Sequence, residues 1–366
     1  MTELLTATAP VFKVDGQVRG ELARDVSRLQ IDEATDGLRS LTLKLIAQGP
    51  QGSAPDEQLL YLDGAVIDFG KTIEVSIGPG DAARIVFTGL VSAIEACFPP
   101  AGGDPHVLVF AEDRLMALRT TRRIKTWERM SDADIAGAIA AEHGLQSDAS
   151  APGPTYDVVQ QWNQSDLAFL RERARLIQAE IWFEDEQLKF KSRSQRNGTA
   201  ITLVQGGDDP AIAGCGLLDV QLRADLAHQR TKVRTSGYDA SARDAIDEEA
   251  GADVVQAEIS GGRTGPQILQ QAFGERVSYR LRENPLVAGE AGDWARAEML
   301  RRCRSFVTAI GTTNGTPDMV VGSRLTLQGV GAPFEGDGYT AVRVCHTYDL
   351  KAGHRTHFEA QRATLN

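Results

Sequence analysis

Cysteine is scarce in this sequence, and long apolar runs are missing. The four cysteines, Cys97, Cys215, Cys303 and Cys345, are far apart and form no CxxC pair. We therefore expect reduced thiols rather than a disulfide framework or a zinc knuckle. No apolar segment is long enough to cross a bilayer, so we expect no membrane span.

Positive charge is also in short supply. The 39 Lys and Arg residues are outnumbered by 50 Asp and Glu residues, and the formal net charge is −11. Broad nucleic-acid binding needs clustered Lys and Arg against phosphates. The charge balance therefore argues against direct nucleic-acid binding, although it leaves room for a local basic face.

The motifs of common catalytic and cofactor sites are missing. No GxSxG elbow, HExxH, Walker A or strand-to-helix GxGxxG segment is present. Gly329-Val330-Gly331 precedes Ala-Pro-Phe and predicts a turn. The acidic pairs 208–209 and 248–249 have the residue type used in glycoside hydrolysis, but their Gly- and Ala-rich surroundings favour exposed acidic loops. We expect no enzymatic activity, no catalytic residue, no cofactor and no metal.

What the sequence does contain is many short strand-like segments separated by Gly and Pro. Alternating or β-branched segments such as 41–45 and 73–77 predict a barrel or a sandwich over residues 1–110, and strand-like segments return over residues 201–366. Capped helices and a hairpin predict a different unit over 111–200. Together with the internal repeat and the family resemblance described below, these segments predict a fold that is mainly β with α+β insertions: two related β-barrel hub domains plus a small helix-containing α+β module.

Loops and an insertion are predicted between these segments. Gly-Pro-Gly-Asp at 78–81 predicts a turn, and the Gly/Pro/Ser-rich stretch 147–154 predicts a loop. The acidic, Gly-rich residues 240–265 predict an exposed loop. A helical insertion is predicted near 265–307, with its main helix at 293–307.

Residues 156–191 carry the most informative pattern, which predicts a strand, a capped helix and a hairpin. Ser165 can cap the first free N–H groups, and Asp166 favours the positive end of the helix dipole. Apolar residues then recur at helical spacing; they are Leu167, Leu170, Ala174 and Ile177. Ser131 predicts the cap of an earlier helix, which His143-Gly144 ends.

The order of residues in this segment also carries a family resemblance. The matching residues are Gln161, Asn163, Ser165, Asp166, Phe169, Leu170, Arg173, Ala174, Leu188 and Phe190. This order resembles the phage late-control D proteins. These are the baseplate hubs of contractile phage tails and of related injection systems, including the hub part of VgrG-like type VI spikes.

A second segment, 306–362, resembles the second barrel of the same family. Its motif residues include Gly311, Gly315, Pro317, Gly329, Gly331, His346, Arg355 and Phe358. Tyr238-Asp239 departs from the family, which often has Trp-Asp-Pro there. The sequence ends at Asn366 without an oligonucleotide-binding-type domain or a β-helical needle, so the resemblance implies that the spike is a separate protein.

The two β regions also resemble each other. The matching segments are 70–78 with 322–329, 89–97 with 338–345, and 107–110 with 356–359. The alternative is that any two hairpin regions look alike. In the resembled family, each subunit has two similar barrels, and three subunits form a ring of six similar domains. A duplicated barrel within one chain is what such a ring requires.

A basic group with neighbouring apolar residues is the best interface candidate. Its residues are Arg119, Arg122, Arg123, Ile124, Lys125, Trp127 and Arg129. Arg and Trp together suit either nucleic-acid strands or protein contacts. The acidic balance of the chain favours contact with a neighbouring subunit or a tube protein.

Three histidines near the C-terminus are a weaker candidate. His346, His354 and His357 lie close in sequence to Asp349 and Glu359. A metal site would need ligands that converge on one point, and this spacing is typical of no known metal motif. We interpret them as solvated or strand-edge histidines.

The sequence therefore predicts a structural baseplate hub that forms a homotrimeric ring between a six-fold inner tube and a three-fold spike. The resemblance implies tube proteins, a separate spike protein and baseplate wedge or tape-measure proteins as partners. It also implies synthesis in the bacterial cytoplasm and a place in a virion tail or an injection particle. Alternatives are a tail-associated cell-wall hydrolase and a soluble surface-binding module.

Overall fold

The computed structural model is mainly β, with 22% of residues in helices. It describes residues 9–46, 48–50, 57–78, 83–100, 104–206, 215–280 and 287–366. The predicted fold class is confirmed: the chain contains a closed six-stranded β-barrel, further sheets and a helix-containing module. The predicted turn at 78–81 and the acidic pair at 208–209 fall largely or wholly outside the described residues.

The first part of the chain folds into a curved sheet around one apolar core, and we call it the first β domain. Its elements are β1 (Val11–Val14), β2 (Gln17–Val18), α1 (Gly20–Asp25), β3 (Val26–Ala34), β4 (Ser40–Leu45), β5 (Gln48–Pro50), β6 (Glu57–Leu59), β7 (Thr72–Ile77), β8 (Arg84–Cys97) and β9 (His106–Glu112). Its main strands are hydrogen-bonded in the order β1-β7-β8-β9-β4-β3. Alternate side chains such as Leu41, Leu43 and Leu45 are buried, as their spacing predicts.

The central module follows. Its elements are α2 (Met116–Thr120), β10 (Arg122–Ser131), α3 (Asp132–Glu142), β11 (Gln146–Ala149), β12 (Thr155–Ser165), α4 (Asp166–Ile177), β13 (Ala179–Glu184) and β14 (Gln187–Ser192). The predicted caps are confirmed: Ser131 and Asp134 form a capping box, and Ser165 accepts from the N–H of Ala168. The loop predicted at 147–154 is wrong in part, because β11 adds to β14 as a parallel edge strand.

The last part of the chain contains the closed barrel and an insertion. Its elements are β15 (Ala200–Gln205), β16 (Cys215–Ala224), β17 (Lys232–Asp239), β18 (Asp244–Gly251), β19 (Arg263–Thr264), α5 (Gly265–Phe273), β20 (Val277–Arg280), α6 (Ala288–Arg304), β21 (Val307–Thr313), β22 (Arg324–Gln328), β23 (Gly336–Asp349), β24 (Gly353–Arg362) and β25 (Thr364–Leu365). The closed barrel, which we call the second barrel, runs β15-β16-β21-β24-β23-β22 and back to β15.

The exposed acidic loop predicted at 240–265 is wrong. This segment forms β18 and a short 3₁₀ helix, Ala252–Glu258, in which Ile246 and Val255 are buried. Glu249 lies on the opposite face of β18 from Ile246 and pairs with the cations of β17. Alternation along the strand thus accommodates both the charge and a core.

The predicted main helix is present, but α6 begins at Ala288 and ends at Arg304.

The predicted internal repeat is confirmed, with its second segment shifted by one residue. The N–H of Gly70 donates to the carbonyl of Val91 at 2.9 Å, and the N–H of Gly322 donates to the carbonyl of Ala341 at 2.8 Å. The sequence comparison had matched Val91 with Thr340 instead. The pairings β8–β9 and β23–β24 also share a bulge directly after Val91 and Ala341. Bulges are specific irregularities, so shared positions indicate a true duplication.

The repeat extends to strands that the sequence did not match. The pairing β3–β4 skips Ser27, and the pairing β16–β21 skips Leu218 at the corresponding step. Strands β3, β4, β7, β8 and β9 therefore correspond to β16, β21, β22, β23 and β24. The strand that precedes the repeat differs between the two copies. Strand β15 pairs in parallel with β22 and with β16, whereas β1 pairs antiparallel with β7 and is not paired with β3 among the described residues.

Candidate functional site: the junction between the two β domains

One strand pair joins the two copies of the repeat. The outer edge of β3 pairs antiparallel with the second half of β23, from Arg28 opposite Asp349 to Ala34 opposite Arg343. The first β domain and the second barrel thereby become one 13-stranded sheet. Arg343 strengthens the junction by donating to the carboxylate of Asp32 at 3.1 Å.

A buried charge network lies behind this junction. The Glu33 carboxylate accepts from Arg196 at 2.7 Å and lies 3.0 Å from the Arg39 guanidinium. It also accepts from the N–H of Val321, at 3.4 Å, in the second barrel. Burial alone would raise the pKa of Glu33, but Arg39 and Arg196 outweigh burial and lower it. Glu33 is therefore held as a carboxylate between the two β domains.

Arg196 extends the network to the central module. Its guanidinium also donates to Glu180 at 3.3 Å and lies 4.8 Å from the ring centroid of Trp182. Both of these partners are on β13. Arg196 therefore links the first β domain to the central module, and Glu33 joins both to Val321 of the second barrel. This network fixes the relative positions of the three parts.

The junction was not predicted from the sequence. A signal was present in β3, where Val26, Leu29 and Ile31 face the core and Glu33 follows on the same alternation. A charged residue at a core-facing position requires a buried partner. The sequence could not identify that partner, because Arg196 lies 163 residues away.

The family-motif residues of the central module stabilise the start of α4. Asp166 is fully buried, and Gln161 donates to its carboxylate at 2.8 Å. His143 Nε2 lies 2.8 Å from the same carboxylate, and Arg123 donates to it at 2.8 Å.

Among the other motif residues of the module, Asn163 has a left-handed backbone with a φ of 48°. Two further motif residues, Phe169 and Leu170, are buried in the core of the module.

The C-terminal motif residues shape the second barrel. Gly315, Gly329 and Gly331 have φ values of 91°, 74° and 98°, which favour glycine. Gly311 lies on β21, where an added Cβ would meet the carbonyl oxygen of Asp219 at 2.7 Å. Pro317 follows Gly315 in a turn.

Two of the three histidines contradict the prediction of solvated or strand-edge side chains. His346 and His354 are buried, and their rings meet at 3.2 Å. They face inward because β23 and β24 pair them on the core side of the sheet, where Phe358 is also buried. His357 faces outward, between Thr312 and Thr347. Arg355 is half-buried and donates to the carbonyl of His354.

The predicted basic interface is divided between two faces of β10. Trp127 is only 3% exposed, and the amine of Lys125 lies 3.8 Å from its ring centroid. Trp127 therefore offers no contact surface, and Arg123 is engaged by Asp166 and Glu142. Arg122 and Arg129 are exposed, and the accessible Arg119 pairs with Glu112 at 2.6 Å.

The exposed apolar surface of this ribbon lies on its other face. Ile124 is 86% exposed and pairs in register with Trp162 on β12, which is 71% exposed. Sequence reasoning named Ile124 but missed Trp162, because their pairing depends on the register of β10 against β12.

No group of three or more potential ligand side chains converges as a metal site among the described residues. The four cysteines are free thiols. Within the described parts of the chain, none of the helices has the length and apolar character of a membrane span.

Solved structures of phage tail proteins have a similar architecture. The 43 kDa tail protein of prophage MuSo2 from Shewanella oneidensis aligns with a TM-score of 0.64 and 14% identity, covering 97% of this chain and 98% of that chain. A tail protein from Neisseria meningitidis MC58 aligns with a TM-score of 0.60 and 14% identity, covering 97% and 96%. These similarities establish a shared fold.

The same fold occurs in a type VI secretion component. The E. coli protein c3393 is described as such a component with structural similarity to the T4 tail proteins gp27 and gp5. It aligns with a TM-score of 0.55 and 12% identity, covering 95% of this chain and 76% of that chain. No curated protein sequence matches.

The sequence itself matches a family over most of its length. The profile of the family described as "Alg8 N-terminal domain" matches residues 11–349, which span both β domains and the central module. The chain belongs to this family.

Proposed function

We propose that this protein is a structural component of a phage tail or a contractile injection system, and that three copies form its baseplate hub. The observation that carries the proposal is the duplication of five strands with two shared bulges. Three copies of a chain with two alike β domains place six alike domains around one axis. Such a ring matches a six-fold tube on one face and a three-fold spike on the other.

The structural similarities support the tail or secretion setting. Two of the neighbours are tail proteins, and a third is a component of a type VI secretion system. The partners in this proposal are further copies of the chain, inner tube proteins, a separate spike protein, and baseplate wedge or tape-measure proteins. The protein is made in the bacterial cytoplasm and enters a virion tail or an injection particle.

The role we propose is geometric, with no catalytic step and no cofactor. The polar residues that the family motifs contain support this role, because Asp166, Gln161 and Ser165 are used to hold one helix start. A turbidity assay on bacterial cell walls tests it. Clearing of the suspension by the purified protein would favour a tail-associated hydrolase instead.

Light scattering on the purified protein tests the assembly. A chain of 39.5 kDa gives a trimer of about 118 kDa, which is three times 39.5. We expect this mass, or its appearance when candidate tube and spike proteins are added. A species that stays monomeric in both conditions contradicts the hub and favours a soluble surface-binding module.

A further inference from the structure

The junction between the two β domains has an unoccupied counterpart on the same chain. Within the chain, residues 28–34 of β3 pair with residues 343–349 of β23. The repeat relates β3 to β16 and β23 to β8. The corresponding edges are therefore residues 219–225, on and just after β16, and residues 93–99, on and just after β8.

Neither of these edges has a strand partner among the described residues. On the edge that faces away from β21, β16 pairs with β15 only up to Leu217. Strand β8 pairs with β7 only up to Leu90. The second half of β8 pairs with β9 on one edge, and its other edge has no strand partner among the described residues. Unpaired strand edges of this length are open to pairing with another chain.

Apolar side chains on the counterpart edges are less buried than the equivalent side chains at the internal junction. Leu29 and Ile31 of β3 are fully buried at the junction, whereas the corresponding Val220 and Leu222 of β16 are only half-buried. Phe98, next to the end of β8, is 73% exposed. Apolar side chains therefore stand partly uncovered at the positions that a junction would bury.

The register of the internal junction predicts which residues would meet. Cys345 lies opposite Asp32, and His346 lies opposite Ile31. Transferring this register through the repeat places Glu95 opposite Arg223, Ala96 opposite Leu222, and Phe98 opposite Val220. The first pair has opposite charges and the other two pairs are apolar, so the joined strands are complementary at these three positions.

We infer that the second half of β8 pairs antiparallel with β16 of a second copy of this chain, in the register of the internal β3–β23 junction. The inference rests on the trimeric ring proposed above and names the surfaces that close it. The contact joins two different edges, so it is heterologous and continues around a ring until the rotation closes. In a trimer, three internal and three intermolecular junctions then alternate around the axis.

Cysteine cross-linking tests the register. Directly opposed residues in antiparallel strands have Cα atoms about 4.5–5.5 Å apart, within the range of a disulfide. The test variant is Glu95→Cys with Arg223→Cys, made in a chain with Cys97, Cys215 and Cys345 changed to serine. Mild oxidation should yield covalent dimers and trimers on a non-reducing gel. The control is Glu95→Cys with Asp219→Cys in the same chain, which is four residues out of register and should yield none.

The outcomes separate this inference from the proposed hub. A trimeric mass with cross-links in the test variant alone supports both. A trimeric mass without cross-links, or with equal cross-links in the control, overturns the β8–β16 junction and leaves the hub standing. A monomeric mass and no cross-links, at the highest soluble concentration and with tube and spike proteins added, overturns both.

Charge exchange provides a second test that does not depend on oxidation. Glu95→Arg or Arg223→Glu alone places like charges opposite each other at all three intermolecular junctions. The concentration at which half of the trimer dissociates should rise about tenfold or more. The double variant restores opposite charges and should recover the trimer. Equal dissociation of the double and single variants would contradict the proposed pairing.

Discussion

The Nδ1 atom of His346 lies 3.2 Å from the Nε2 atom of His354 inside the wall of the second barrel. The other ring nitrogen of His346 faces the carbonyl oxygen of Met319 at 3.0 Å, so it carries a proton and donates. Nδ1 is then an acceptor, and both His354 Nε2, at 3.2 Å, and the Thr356 hydroxyl, at 3.1 Å, lie within hydrogen-bond distance of it. While both rings are neutral, the hydrogen bond between their facing nitrogens forms. A further proton would place two N–H groups against each other.

The first prediction is that this pair makes the fold sensitive to acid. Burial lowers the pKa of His346 to about 4 and that of His354 to about 3. Because the unfolded histidines titrate near 6.5, stability is complete above that pH and is lost as the pH falls toward the folded values. We expect each histidine to lower the free energy of unfolding by about 2 kcal/mol between pH 6.5 and pH 5.

Urea unfolding across this pH range measures the effect. The variant His346→Gln with His354→Gln should be less stable at neutral pH but should lose less stability on acidification. Replacing the exposed His228 by Gln is the matched control and should leave the wild-type pH dependence unchanged. An equal slope in the double variant and the wild type would show that other groups govern the acid response.

The second prediction concerns the start of α4. Burial alone would raise the pKa of Asp166, but the hydrogen bonds from Arg123, Gln161 and His143 outweigh burial and lower it. Asp166→Asn removes the charge that these donors surround. We expect a loss of about 3 kcal/mol in the free energy of unfolding. Asp157→Asn, on the exposed side of β12, is the control and should change stability by less than about 0.5 kcal/mol; similar losses in both variants would contradict the role of Asp166.

Local features of the fold could be predicted from the sequence. The helix α4 could be predicted because its apolar stripe lies within its twelve residues and its cap, Ser165, directly precedes them. The β10 surface shows where this reasoning fails. Treating residues 119–129 as one patch ignored strand alternation, which places Trp127 toward the core and Ile124 toward solvent.

Long-range pairing could not be predicted from local pattern. The junction of β3 with β23 joins residues such as Asp32 and Arg343, which are 311 positions apart. No local preference specifies which edge strand meets which. The repeat could be found because the strands of both copies follow in the same order with similar lengths, and because Gly70 and Gly322 are equivalent. Matching Gly89 with Gly338 placed the second segment one residue out, and only the hydrogen bonds of Val91 and Ala341 show the shift.

The third prediction tests the network behind the junction. Arg196→Met keeps most of the side-chain volume but leaves Glu33 and Glu180 with fewer cations in a buried site. We expect a loss of about 3–5 kcal/mol in the free energy of unfolding. Arg84→Met is the control, because the Arg84–Asp318 ion pair is half exposed and should contribute less than about 1 kcal/mol. Equal effects would mean that Arg196 contributes no more than a surface ion pair.

The fourth prediction separates backbone strain from close packing at two motif glycines. Gly315 and Gly331 have similar φ values of 91° and 98°, which strain any residue with a Cβ. An added Cβ at Gly331 meets nothing within 4 Å, whereas at Gly315 it would lie 2.8 Å from the carbonyl oxygen of His354.

Gly331→Ala should therefore cost only the backbone strain, about 1–2 kcal/mol. Gly315→Ala should cost about 3 kcal/mol or more, because the backbone of β24 must also move. Urea unfolding of the two variants measures the difference at pH 7.5, where the histidine pair is neutral. If both variants lose the same stability, the turn after β21 tolerates a Cβ and close packing against His354 does not explain the glycine at position 315.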